Sequence, residues 1–185
     1  QAPIDPSILV PTLYIQQGKT KEAAKICSRM LLQYLNQSCL MLTTLARISK
    51  SENKNDKALF YLDAVGKLEA AFQIGLFSAA YQISRLYLNM GQKEEAARWF
   101  RKYAEGLLSS GYDYYDNPYF GAIDLELKPV EQKVIRKKLL QSLIDDQELN
   151  GLAGYADYEA AIGEIKQAVA EMGMTSAAKG GGSSR

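Results

Sequence analysis

Apolar residues recur along this chain every three or four positions, the spacing of helices that bury one face. Phe100, Tyr103, Ala104 and Leu107 show it, as do Ile26, Cys27, Met30, Leu31 and Tyr34. Nowhere does an alternation of apolar and polar residues run long enough to suggest a sheet. The pattern predicts helices at 6–17, 20–35, 37–50, 55–71, 75–90 and 92–110, a loop at 111–128, and helices at 129–146 and 155–172. Pro129 suits the first turn of its helix, with Glu131 behind it to face the positive end of the dipole. Residues 173–185, which contain Gly180, Gly181, Gly182, Ser183 and Ser184, read as a flexible tail.

An internal repeat organises the first 110 residues. Tyr14, Gly18, Glu22, Ala23 and Ala24 recur as Tyr87, Gly91, Glu95, Ala96 and Ala97, with a weaker copy at Asn53, Lys57, Ala58 and Leu59 between them. The marker residues Ala23, Ala58 and Ala96 lie 35 and 38 residues apart. Gly18, Asn53 and Gly91 stand where a helix ends and the chain reverses, a place for a left-handed backbone that Gly tolerates best and Asn next. Five residues on, each Ala lets the second helix approach the first closely. These expectations describe helix hairpins stacked side by side.

The spacing of Tyr, Gly, Glu and Ala resembles the tetratricopeptide repeat over roughly residues 8–110. The middle copy departs from it, with Ser49 where the others have Tyr14 and Tyr87, and no copy ends in proline. The resemblance implies an all-α solenoid of stacked hairpins in one domain over 1–172. Its repeats would be at about 8–36, 38–72 and 76–110, followed by a capping helix pair at 129–172. A second stretch resembles the carboxyl end of bacterial helix-turn-helix transcription regulators of the phage-repressor-like (XRE) type. It is carried by Asn117, Pro118, Tyr119 and Phe120, by Leu125 to Lys128, by Leu139 to Leu149 and by Leu152 to Ile162. That resemblance implies a sensing or dimerising module, a homodimer among its assemblies, and a DNA-binding domain encoded before Gln1. A free-standing or exported scaffold for protein–protein interaction is the alternative.

Stacked hairpins present the first helix of each pair on a concave face, where a peptide or protein segment binds. Counted from the turns, the inward positions are Thr12, Ile15 and Gln16, then Thr43, Arg47 and Lys50, then Tyr81, Arg85 and Asn89. Spacings of three and four put each set on one helical face. The result is a mildly basic, polar and aromatic groove suited to a carboxylate, with a solvated or self-occupied face as the other reading. Ile8 and Thr12 replace the residues by which chaperone-binding repeats clamp a terminal carboxylate, which disfavours that use. The aromatic cluster Gly111 to Phe120 reads either as a partner surface or as a cap folded back on the last repeat. Lys133, Arg136, Lys137 and Lys138 form a short basic run read as a solvated helix face.

Composition narrows the chemistry. Twenty-two Lys plus Arg against 21 Asp plus Glu leave a net charge of +1, so this segment lacks the basic excess of a nucleic-acid surface. The chain contains no His, the commonest metal ligand and general base, and no nucleophile stands beside an activating partner. No catalytic residue, cofactor or metal is expected. Gly18, Lys19 and Thr20 imitate the end of a phosphate-binding loop, but Leu13 stands where that loop needs Gly. Cys27 and Cys39 read as buried free thiols, consistent with a reducing cytoplasm. No apolar run is long enough to span a bilayer.

Overall fold

The computed structural model describes residues 6–74, 78–109, 117–121, 123 and 129–178, with side chains of 6, 129–133 and 173–178 not described. Every regular element among them is helical. A 3-10 turn at Pro6–Leu9 leads into α1 (Val10–Gln16), followed by α2 (Thr20–Ser51), α3 (Asn55–Phe72), α4 (Ala79–Asn89) and α5 (Lys93–Leu108). After α6 (Pro129–Ile144), a 3-10 turn at Leu149–Leu152 precedes α7 (Ala156–Ala178).

The three repeated turns form alike. Gly18, Asn53 and Gly91 take φ of 75°, 60° and 75°, the left-handed conformation expected of them. At each, the amide one residue on reaches back to close the preceding helix: Lys19 to the Tyr14 carbonyl at 2.9 Å, Lys54 to Ser49 at 2.8 Å, Gln92 to Tyr87 at 3.0 Å. The turn residue's own amide bonds three residues back, Gly18 to Ile15, Asn53 to Lys50 and Gly91 to Leu88. This paired closure satisfies carbonyls that a helix end leaves open. Because this closure uses the backbone carbonyl, Ser49 takes part in it as Tyr14 and Tyr87 do. The marker residues Ala23, Ala58 and Ala96 are buried where the paired helices meet.

One expectation fails in an informative way. Instead of separate helices at 20–35 and 37–50, α2 runs unbroken for 32 residues, about 48 Å at 1.5 Å per residue. Residues 30–46 contain no Gly or Pro, and Asn36 and Ser38 cost a helix only a few tenths of a kcal/mol each. Nothing local stops the ladder, so the first and second hairpins share one helix. Consequently Leu31 and Tyr34, expected to pack like Phe100 and Tyr103, are exposed, and so is Cys27; only Cys39 is a buried thiol. Smaller differences lie at the ends: α4 begins at Ala79, α6 stops at Ile144, and α7 continues to Ala178 through part of the expected tail.

Three clusters hold the elements. Phe100, Tyr103 and Leu107 of α5 meet Leu140 and Leu143 of α6, Leu149 and Leu152, and Tyr158, Ile162 and Ile165 of α7. Leu35 and Cys39 of α2 meet Val65 of α3 together with Phe120 and Ile123. Ala46, Ala58, Leu62, Ile83 and Leu86 join α2, α3 and α4. The described part of the aromatic loop folds inward: Phe120 is fully buried and stacks on Phe72, and the Asn117 side-chain amide donates to the Phe72 and Gln73 carbonyls. These described residues thereby cover the end of α3 in the second hairpin, with Tyr119 left 41% exposed; residues 111–116, over which the partner-surface and cap readings also ran, lie outside the described set. Arg136 belongs to no solvated face either, because its guanidinium caps α5 by donating to the Leu108 carbonyl at 2.6 Å.

Candidate functional site

The second and third hairpins enclose a cavity of about 370 Å³ between α2, α3 and α4. Ala46, Ala58, Leu62 and Leu86 form its apolar floor, each at most 4% exposed and each part of the core beneath. Arg47 and Lys50 rise from α2 on one side, and Arg85 and Gln82 from α4 on the other. Among the described residues, three cations and no carboxylate line the space. Spacings of 46, 47 and 50 on α2 and of 82, 85 and 86 on α4 turn these residues toward one groove because α3 holds the two helices apart.

The cations differ in what they touch. Arg85 forms an ion pair with Glu148, lies 3.9 Å from Asp146 Oδ2 and donates to the Tyr81 hydroxyl at 3.3 Å. Tyr81 in turn donates to Asp146 Oδ2 at 2.6 Å. Burial raises the Tyr81 pKa above its ordinary value, the Asp146 carboxylate adds to this, and Arg85 opposes it. The phenol therefore stays a donor at neutral pH. Among the described residues no carboxylate lies within 4.0 Å of Arg47 or Lys50. One flank of the groove is thus occupied by the chain's own carboxylates, and the other presents two cations that no described carboxylate pairs, above an apolar floor.

Of the positions expected to form the groove, Arg47, Lys50 and Arg85 come together on the cavity, and Tyr81 joins them through Arg85. Thr43 is partly buried one turn before Arg47, its hydroxyl oxygen without a partner. Thr12, Ile15 and Gln16 are exposed on α1 and Asn89 is exposed at the end of α4; none of the four lines the cavity. The reason for α1 is the unbroken α2, which carries the first hairpin along its own axis instead of folding it beside the second. Sequence reasoning missed Gln82, Asp146 and Glu148. The two carboxylates meet Arg85 across 61 and 63 positions, and no local spacing signals such a pairing.

A larger space of about 460 Å³ lies against α3, α4 and α5, with Trp99 and Tyr103 in its wall. Several of its polar groups are already engaged. Ser78 bonds the Tyr103 hydroxyl, Glu69 accepts from the Ala79 amide, and Lys102 lies over the Trp99 ring. Burial followed by the nearby Glu69 raises the Cys39 thiol, which suits packing and not nucleophilic attack. Among the described residues no group of three or more His, Cys, Asp or Glu is placed to hold a metal, and no helix is long and apolar enough to cross a membrane.

Neither a family model, nor a curated protein, nor a solved structure matches this chain.

Proposed function

We propose that the chain is a non-catalytic binding module that holds an acidic segment of a peptide or partner protein in the groove between α2 and α4. The observation that carries this reading is the cavity wall itself: Arg47, Lys50 and Arg85 converge on an apolar floor with no carboxylate among the lining residues. Its size falls within the range of about 300–1,000 Å³ usual for ligand sites. The guanidinium of Arg85 already engages Glu148, which illustrates the ligand chemistry the face favours. We read the hairpins as degenerate tetratricopeptide-like units of a solenoid with α6 and α7 as its cap, supported by three turns that keep phase in hydrogen bonding. The likeness of residues 117–162 to phage-repressor-like regulators would make this the sensing part of a transcription factor. Sequence-selective DNA binding by the protein extended upstream of Gln1 tests that placement.

The groove is tested by fluorescence anisotropy with a labelled decapeptide rich in Asp and Glu, against an uncharged peptide of equal length. The acidic peptide should bind, and Arg47→Ala with Lys50→Ala should weaken it about tenfold or more, roughly 1.4 kcal/mol, and flatten its salt dependence. Equal binding by wild type and variant, or equal binding of the two peptides, removes the reading.

A further inference from the structure

We propose that Glu148 is an internal competitor for the groove, its carboxylate holding Arg85 until an acidic group of the ligand takes its place. The inference rests on the reading of the groove as a site for acidic segments, and adds how access to one of its cations is regulated. Arg85 joins α4 to the turn that follows α6, and Asp145, Asp146 and Glu148 crowd that turn. The three acids are not equivalent. Asp145 is engaged within its own helix end, accepting from the Gln141 side chain at 3.1 Å. Asp146 is locked in place: Oδ2 accepts from Tyr81 at 2.6 Å, Oδ1 accepts from the Glu148 amide at 3.0 Å, and the side chain is 17% exposed. Glu148 is loose by comparison. Its side chain is 62% exposed, and among the described residues its carboxylate has no partner but Arg85.

The backbone around Glu148 does not depend on that ion pair. Leu149 and Leu152, which follow it, are fully buried in the cluster of α5, α6 and α7. On the other side Asp146 is pinned to Tyr81, whose ring packs against Tyr103 at 5.2 Å between centroids. The turn therefore stays in place while the Glu148 side chain rotates about its own bonds, and exchange needs a new rotamer but no unfolding. In the resting chain the Arg85 guanidinium gives Nη2 to Glu148 and Nη1 to the Tyr81 hydroxyl at 3.3 Å. A guanidinium binds a carboxylate best through two parallel N–H bonds, an arrangement open to a ligand acid once Glu148 has left. A ligand acid on the floor of Leu62 and Leu86 meets Arg47 and Lys50 directly, but gains Arg85 only by displacing Glu148. An ion pair this exposed is weak, so the competitor lowers affinity by a few-fold and does not block the site.

The probe is the acidic decapeptide of the groove assay, read by fluorescence anisotropy on the full chain. Glu148→Gln keeps the length of the side chain and removes the competing charge, so it should tighten binding about threefold. In an Arg85→Ala background the same change should have no effect, because the competitor acts through Arg85. Glu164→Gln on α7, which lines no part of the groove, alters the net charge equally and should leave affinity unchanged. The urea midpoint of Glu148→Gln should match wild type, and peptide should leave amide exchange at Leu149–Leu152 as it was, since only a side chain moves. An affinity that Glu148→Gln leaves unchanged or weakens, or an equal gain in Glu164→Gln or in the Arg85→Ala background, overturns the competitor. The groove itself then still stands or falls by Arg47→Ala with Lys50→Ala. A lower urea midpoint without a gain in affinity assigns Glu148 to holding the cap and overturns the proposal as well. Exposure of the Leu149–Leu152 amides by peptide overturns exchange by side-chain rotation. If neither wild type nor Glu148→Gln binds the peptide, the groove and its competitor fall together.

Discussion

Gly18 and Gly91 both sit at φ +75°, and a Cβ built on either meets no atom within 4 Å. Whatever an alanine costs there is backbone strain alone, uncomplicated by packing. Gly91→Ala should therefore lower the unfolding free energy in urea by about 1–2 kcal/mol, with unchanged helicity. Gly66 offers the contrast: its φ is ordinary, and an added Cβ meets only Ala79 Cβ at 3.6 Å, an ordinary contact. Asn53 tolerates the same conformation because a short polar side chain suffers least at positive φ among residues that have a Cβ. These turn residues were legible in the sequence because their requirement is local. A left-handed residue closes its helix through its own amide and the next one, which bond carbonyls three and five residues before them, and Gly or Asn advertises it. The ion pairs at Arg85 were not legible, because a guanidinium selects among carboxylates only after the chain has folded. Asp146 and Glu148 look like any surface acids until α4 is in place.

At the level of the element, α2 shows how a repeat pattern misleads. The period of about 35 residues places a boundary near Asn36, and two helices with a turn there would satisfy it. Helices stop for physical causes, however, and residues 30–46 supply none: no Gly, no Pro and no Schellman closure. Introducing a cause should restore the boundary. Ser38→Pro removes a ladder bond and clashes with the preceding turn, at about 3 kcal/mol or more. Loss of helicity and a lower urea midpoint are the expected results. The core beneath constrains how much can be lost, since Leu35 and Cys39, which flank residue 38, pack in one cluster and Ala46 packs in another. The groove depends on this element too. Arg47 and Lys50 were legible as a pair at helical spacing, whereas the exclusion of Thr12 and Gln16 followed from a continuity that their own neighbourhood does not encode.

Across the whole molecule, burial is uneven. The richest cluster joins α5, α6 and α7, and α1 contributes no residue to any of the three. Buried phenols belong to the well-packed end: Tyr103 and Tyr158 are 5% and 6% exposed, and both, like Tyr81, are pushed above the ordinary 10.0 mainly by burial. The folded state then holds protons that the unfolded chain releases near pH 10. Stability from these groups is complete below that pH and is lost as pH rises through the raised folded values. Urea midpoints measured at intervals between pH 8 and 11 should fall above pH 10, and Tyr103→Phe should reduce the fall. If the hairpins are units of a solenoid, as proposed above, each would ordinarily gain or lose structure with its nearest neighbour alone, and the end unit would fray first. The shared helix changes that arithmetic. Its hydrogen bonds run without interruption from the first turn to the second, so α1 can peel from its surface while the helix beneath remains anchored by the Leu35 and Ala46 clusters. Amide exchange should consequently divide the amino-terminal third along its length, with α1 quick to exchange and α2 slow from Leu35 onward, although the two belong to one hairpin.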